Sequence, residues 1–301
     1  MNVPKWFETS LSMAYTDAYA DLEGRRIHYR CWGDSHLPGI VLVHGGVAHL
    51  GWWQFLAPLL THHYYVVAID LSGHGESDWR DHYSVSRFAE DIHAVCHTVP
   101  FAARPILVGH SMGGLVSLAA AARWQDMFGG AVIVDSPVRQ QDPESREGQY
   151  GKSFRSAKVY ATPEEAMSRF RLVPEQPCDN KYIMQHIART SIKQTDAGWT
   201  WKFDPNLFVN YTREPLAECL PKVKCRIAMM RGEFSTVVPP ETSKFMYQAL
   251  NRVAPLIEIP QAHHHLILDQ PLAFIAALRA ILADWEHSDP RQATVPRHQK
   301  G

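Results

Sequence analysis

Ile106-Leu107-Val108-Gly109-His110-Ser111-Met112-Gly113-Gly114 is the stretch that decides how this chain is read. A short apolar run leads into G-x-S-x-G, and a Leu- and Ala-rich stretch at residues 114–124 follows at once. Strand, sharp turn and helix in that order form the setting of a nucleophile elbow. The serine sits on a strained turn with its hydroxyl exposed, and the flanking glycines remove side chains that would collide there. Gly and Ser are common, so the motif alone says little; its position between a strand and a helix carries the reading.

Further short apolar runs flank this one: residues 39–43, 65–69, 131–134, 227–230 and 256–259. They are continuous rather than alternating, as expected for central parallel strands covered on both faces. Residues 26–31 do alternate, with Ile27, Tyr29 and Cys31 on one face, and read as an early antiparallel edge strand. Helical patterns lie between the runs, and Leu272, Ile275, Leu278, Ile281, Leu282 and Trp285 recur at helical spacing near the end. The expectation is an α/β fold with a mostly parallel sheet and helices on both faces.

The rhythm breaks once, between Ser136 and about Pro221, where helical patches and scattered prolines replace strands. About 85 residues are too many for a connection within a compact sheet. They read as a helical cap at 137–220, inserted after the sixth strand into a core formed by 1–136 and 221–286. Residues 287–301 read as a solvated tail.

The strand runs end distinctively: His44-Gly45-Gly46, Asp70, Ser111, Asp135, Arg231-Gly232, and Pro260-Gln261-Ala262-His263-His264-His265. Ligands of open α/β sheets bind outside the carboxyl ends of the strands, so these residues are the candidates for chemistry. Ser111 is the nucleophile expected from the elbow. A tetrahedral intermediate needs preorganised donors for its oxyanion. The N–H groups of Met112 and Gly46 are the expected pair, with Val47 as the alternative to Gly46.

Four segments resemble the α/β-hydrolase superfamily, especially its capped serine esterases and meta-cleavage-type C–C hydrolases. They are Val43-His44-Gly45-Gly46 with Trp52-Trp53 behind it, residues 70–78, residues 109–114, and residues 260–265 with Asp269-Gln270-Pro271. The resemblance implies an eight-stranded sheet (the α/β-hydrolase fold), a helical cap between strands six and seven, and no cofactor. It also implies that the general base follows the last strand. Aligning on Pro260 and Gln270-Pro271 selects His264, with His263 standing where glycine is usual and remaining the alternative. The family's usual acid position, in the turn Gly232-Glu233-Phe234-Ser235, holds no Asp. Asp135, at the end of the sixth strand, is the expected acid, as in certain dehalogenases. Glu233 is the alternative, and a cap on the chain path is the competing role for Asp135. His110 is expected to pack under the elbow, and Asp70 and His74 to shape a loop.

A serine nucleophile suits acyl transfer and argues against epoxide opening or halide displacement, which use an Asp at the elbow. The expected substrate is a small-molecule carboxylic ester or lactone. Trp52, Trp53, Trp199 and Trp201 either line an acyl pocket or pack the cap on the core. A C–C hydrolase would use the same serine and histidine, with Arg139 or Arg155 as pocket cations. A ligand-binding protein that has lost activity is the non-enzymatic alternative.

Composition bounds the rest. The formal charge is −1, from 30 Lys+Arg against 31 Asp+Glu, so no basic surface argues for nucleic acid or an anionic membrane. Residues 1–8 lack a basic segment followed by an apolar one, and no apolar run approaches about 18 residues. The five cysteines are scattered without a C-x-x-C pair, which disfavours both a disulfide framework and a zinc site. No metal, a cytoplasmic location and reduced thiols are expected.

Overall fold

Strands β3 (Gly39–Val43) and β4 (Tyr65–Ile69) show why this chain builds a two-sided sheet. Ile40, Leu42, Val66 and Ala68 join one apolar cluster, while Val41, Val43, Val67 and Ile69 join the other. Successive side chains of a strand point to opposite faces, so a continuous apolar run feeds two cores at once. Burying one such Val or Ile side chain is worth roughly 1.5–3 kcal/mol.

The computed structural model describes residues 3–138 and 158–288. Beside β3 and β4 stand β1 (Thr16–Leu22), β2 (Arg25–Trp32), β5 (Ile106–His110) and β6 (Gly130–Val134). A two-stranded ribbon, β7 (Ile192–Thr195) and β8 (Gly198–Trp201), precedes β9 (Arg226–Gly232) and β10 (Leu256–Ile259). The main sheet has eight strands in the order β1-β2-β4-β3-β5-β6-β9-β10. β1 and β2 run antiparallel, and all pairs from β4 onward are parallel.

The helices are α1 (Lys5–Ser12), α2 (Val85–Thr98), α3 (Met112–Arg123), α4 (Pro163–Ser168), α5 (Lys181–Thr190), α6 (Pro240–Ala249), α7 (Leu266–Asp269) and α8 (Pro271–His287). Phe274, Leu278 and Leu282 carry α8 into the cluster with Trp53, whereas α2 and α3 enter the opposite cluster through Phe88, Ile92 and Val116. The Ser84 side chain accepts from the Arg87 N–H and starts α2, meeting one of its otherwise unpaired donors.

Two expectations are corrected. Residues 26–31 do not form the edge: β1 pairs outside β2 and takes that place. β1 escaped notice because only Ala20 of its seven residues is buried, so it has almost no apolar pattern. The segment between β6 and β9 is not purely helical, since β7 and β8 pair as an antiparallel hairpin. Two residues, Asp196-Ala197, connect them, and Gly198 follows with φ 128°. The period-two spacing of Trp199 and Trp201 is that of a strand.

Within the described residues, this segment is tied to the sheet edge by long-range hydrogen bonds. The Gly75 N–H donates to the Lys202 carbonyl and the Asp204 N–H to that of Gly73. Tyr83 Oη donates to Asp204 Oδ2 at 2.7 Å, and Asn180 Nδ2 to the Leu268 carbonyl at 2.7 Å. Arg139, Arg155 and the tail from residue 289 lie outside the described residues. Among the described residues, no helix is long and apolar enough to cross a membrane.

Candidate active site

Ser111 joins the end of β5 to the start of α3 with φ 54° and ψ −123°. That conformation is costly for a residue with a Cβ, and its surroundings hold it there. The Ser111 N–H donates to the Val134 carbonyl, and the Ser111 carbonyl accepts from Gly114. The approach of β5, α3 and β3 leaves no room beside the turn. A Cβ on Gly109 would lie 2.3 Å from the Gly113 carbonyl oxygen, and one on Gly113 2.3 Å from that of Val43. The motif's glycines are therefore steric requirements of the turn.

His264, after β10, lies with Nε2 2.9 Å from Ser111 Oγ and Nδ1 2.8 Å from Asp135 Oδ1. An ionised carboxylate only accepts, so Nδ1 carries the proton and Nε2 accepts from the serine hydroxyl. Asp135 is fully buried, with φ 48°. Its Oδ1 also accepts from Ser235 Oγ at 2.6 Å, and its Oδ2 from the Gly232 N–H at 2.7 Å. Three donors thus compensate a charge that would otherwise be expensive to bury.

Of the alternatives, Glu233 does not reach the imidazole: its Oε2 accepts from the Gln261 N–H at 2.8 Å. His263 faces Asp269 instead, with its Nδ1 3.6 Å from Oδ2. His110 is buried beneath the turn, and its Nε2 donates to the His264 carbonyl at 2.9 Å. Burial lowers His110 to about 3, and the neighbouring His264 pushes it the same way. Asp70 shapes its loop by accepting from the Leu50 and Glu76 N–H groups and from His28 Nδ1.

The loop after β3 is held by His44. Its Nδ1 donates to the Gly45 carbonyl at 2.7 Å, while Nε2 accepts from the Leu71 N–H at 3.0 Å. Burial takes His44 down to about 3, with His74 adding to the shift, so the ring stays neutral and keeps both bonds. Gly46 then faces open space: a Cβ there would meet nothing nearer than Met112 Sδ at 3.7 Å. Among the described residues, the N–H groups of Gly46 and Met112 have no acceptor. Val47, with φ 52°, follows in the same loop.

A cavity of about 380 Å³ opens over Ser111. Its floor includes Gly45, Gly46, His110 and His265, and its walls include Trp52, Tyr160, Phe170, Trp201 and Phe203. Two expected pocket residues are elsewhere. Trp53 is fully buried in the core, 6.1 Å from Phe274 between ring centroids, because it lies on the far side of the turn at residues 50–52. Trp199 is not part of the lining, although it shares a strand face with Trp201; it lies two residues away along the hairpin, where its backbone bridges to Tyr160. Sequence reading missed Ser235 and Gly232 as supports of Asp135, and Gln176, whose Oε1 accepts from the His265 N–H at 2.8 Å. It also missed the cavity's Lys158, Arg169, Arg171 and Lys202. No motif flags these residues, because they meet only through tertiary structure.

One ring nitrogen from each of His110, His264 and His265 lies within 4.8 Å of the others, and among the described residues these three form the group that could hold a metal ion. Both nitrogens of His264 are already engaged with Ser111 and Asp135. A metal here would compete with the serine for the histidine lone pair.

Comparisons with known proteins agree with this architecture. A family model described as Alpha/beta hydrolase family matches residues 40–278. Esterase Rv0045c of Mycobacterium tuberculosis is 25% identical over 257 residues, 83% of this chain and 84% of the relative. A serine hydrolase-like protein of Danio rerio is 24% identical over 311 residues, 94% and 93% of the two chains. Among solved structures, a thioesterase domain from the curacin biosynthetic pathway shares the fold. Its TM-score is 0.73 at 22% identity, over 90% of this chain and 99% of that one.

Proposed function

The chain belongs to the alpha/beta hydrolase family, and we propose that within it this protein is a serine hydrolase of small-molecule carboxylic esters, working through an acyl-enzyme. The observation that carries this reading is the continuous chain of hydrogen bonds from Ser111 Oγ through His264 to the buried Asp135.

His264 Nε2 takes the hydroxyl proton as Ser111 Oγ attacks the ester carbonyl. The tetrahedral oxyanion accepts from the N–H groups of Gly46 and Met112, which the loop after β3 and the start of α3 hold in place. As the carbon–oxygen bond to the alcohol breaks, His264 returns its proton to the leaving oxygen. Water then enters, loses a proton to the same nitrogen and attacks the acyl-enzyme. Collapse releases the carboxylic acid and restores Ser111. Asp135 fixes the imidazole orientation throughout and stabilises the imidazolium. The segment between β6 and β9 acts as a cap, since Tyr160, Phe170 and Trp201 stand over the serine.

Hydrolysis of a short-to-medium series of p-nitrophenyl esters by wild type and Ser111→Ala tests this reading. Turnover that vanishes in the variant is the expected result, and undiminished turnover would refute the role of Ser111. A C–C hydrolase of an acidic diketone would use the same serine and histidine. The cationic residues of the cavity are the observation that favours it, and a wild type that ignores every ester in the series would turn the assignment that way. The intact Ser111–His264–Asp135 geometry weighs against a purely ligand-binding role.

A further inference from the structure

Lys158, Arg169, Arg171 and Lys202 all line the cavity over Ser111, and no Asp or Glu is among the described lining residues. The whole chain carries a formal charge of only −1, so an all-cationic lining does not follow from composition. Residues 139–157, outside the described part, bring four basic and three acidic side chains in sequence, hence no excess of acid.

The cations are also sorted by depth. Lys158, Arg169 and Arg171 are exposed and Lys202 is half-buried, whereas His110 and His265 on the floor are buried. Exposed residues that line a cavity stand at its opening. Between floor and opening the walls are aromatic, with Phe170 and Trp201 packed 6.3 Å apart between centroids and Tyr160 6.0 Å from Trp201. Lys202 is partly neutralised, since its Nζ pairs with Glu76 Oε1 at 2.6 Å. Arg171 is anchored: one terminal nitrogen, Nη1, donates to the Ser168 and Phe170 carbonyls. Its Nε and Nη2 have no acceptor among the described residues. Low-dielectric walls focus the field of such a group toward an arriving anion, and a guanidinium matches the two oxygens of a carboxylate.

We propose that the cavity selects esters carrying a carboxylate remote from the scissile bond, received at its opening by Arg169, Arg171 and Lys158 while the intervening chain lies against the aromatic walls. The ester chemistry in this statement rests on the function proposed above; the recognition of the anion does not.

Two measurements separate these parts. In the first, kcat/KM is compared for p-nitrophenyl valerate and mono-p-nitrophenyl glutarate. A second pair, methyl 4-acetoxybenzoate and 4-acetoxybenzoate, places the charge on the leaving side. Each rate is normalised to hydroxide hydrolysis of the same ester. The charged member of at least one pair should be preferred by about tenfold at low salt, and the preference should shrink as salt rises. The Arg169→Gln/Arg171→Gln double variant should lower that ratio toward one. A ratio near one in wild type for both pairs would overturn the proposal.

In the second measurement, calorimetry compares wild-type binding of 5-phenylvalerate with that of 5-phenylvaleramide, which needs no turnover. Tighter binding of the acid, weakened by salt and by the double variant, supports the proposal even if no ester is cleaved, in which case the ester reading alone falls. Equal binding of acid and amide overturns it even if neutral esters are turned over well.

Discussion

Ser235 Oγ donates to Asp135 Oδ1 at 2.6 Å, so the turn after β9, which holds no Asp of its own, orients the carboxylate contributed by the end of β6. The same turn supplies the Gly232 N–H to Oδ2. The carboxylate and its supports thus come from adjacent, parallel strands, and the position of the acid is a property of the pair.

Replacing Asp135 by Asn should lower kcat by about 10³–10⁴-fold, because an amide can stabilise the wrong imidazole tautomer and cannot stabilise the imidazolium. Glu233→Gln should change kcat by less than about twofold, since the glutamate accepts from Gln261 and does not touch His264. Steady-state kinetics on the two variants checks both. A large loss with Gln at 233 and a small one with Asn at 135 would reverse the assignment.

Ser235 acts through Asp135 and is a positioning residue. Ser235→Ala removes one of three donors to a buried carboxylate and should destabilise the fold by about 1–3 kcal/mol. It should also lower kcat while leaving KM near its wild-type value, because a misplaced imidazole harms the transition state more than ground-state binding. Denaturant unfolding and steady-state kinetics read the two effects separately. A change in KM alone would contradict the positioning role.

The two neighbouring tryptophans should separate stability from specificity. Trp53→Ala empties a fully buried site and should cost about 3–5 kcal/mol. Trp52→Ala opens the cavity wall and should shift the preferred acyl length in the p-nitrophenyl series. Melting curves and a chain-length profile test the pair, and a specificity change from Trp53 alone would contradict the placement.

Acid should destabilise the fold over a window set by its buried histidines. Burial holds His44, His49 and His110 at about 3 in the folded state, against 6.5 for an ordinary histidine. Between those values the unfolded chain binds more protons than the native one, so stability rises with pH. It is fully present above about 6.5 and is lost as pH falls toward about 3, by up to roughly 1.4 kcal/mol per pH unit for each histidine. Asp70 adds to the loss at the acid end. Burial would raise it, but the hydrogen bond from His28 and the nearby histidines outweigh that and hold it at about 2. Denaturation midpoints should stay nearly level from about pH 7.5 to 6.5 and fall steadily from there to about pH 5; constant midpoints down to about pH 5 would contradict this account.

Much of this architecture is legible in the sequence where a physical constraint is local. Continuous apolar runs give the central strands because both faces of the sheet are covered, and G-x-S-x-G gives the elbow because a Cβ on either glycine would lie 2.3 Å from a backbone carbonyl oxygen. β1 is not legible, since six of its seven residues escape full burial and leave no pattern. The β7–β8 hairpin is hidden inside a helical-looking segment because four-residue strands are too short to establish a period. The neighbours His263 and His264 differ only in the direction the loop turns them, toward Asp269 in one case and Ser111 in the other. The cationic opening escapes because its members lie scattered through residues 158–202 and converge only when the segment folds over the sheet.

The central claim is that Ser111 carries the acyl group, and rapid quenching with a slowly deacylating p-nitrophenyl ester tests it most directly. Intact-mass and peptide analysis should find the acyl increment on the peptide containing Ser111 in wild type, formed with a burst of nitrophenolate, and neither adduct nor burst in Ser111→Ala. Sustained turnover with no adduct, or an adduct on another residue that survives in Ser111→Ala, would contradict the account.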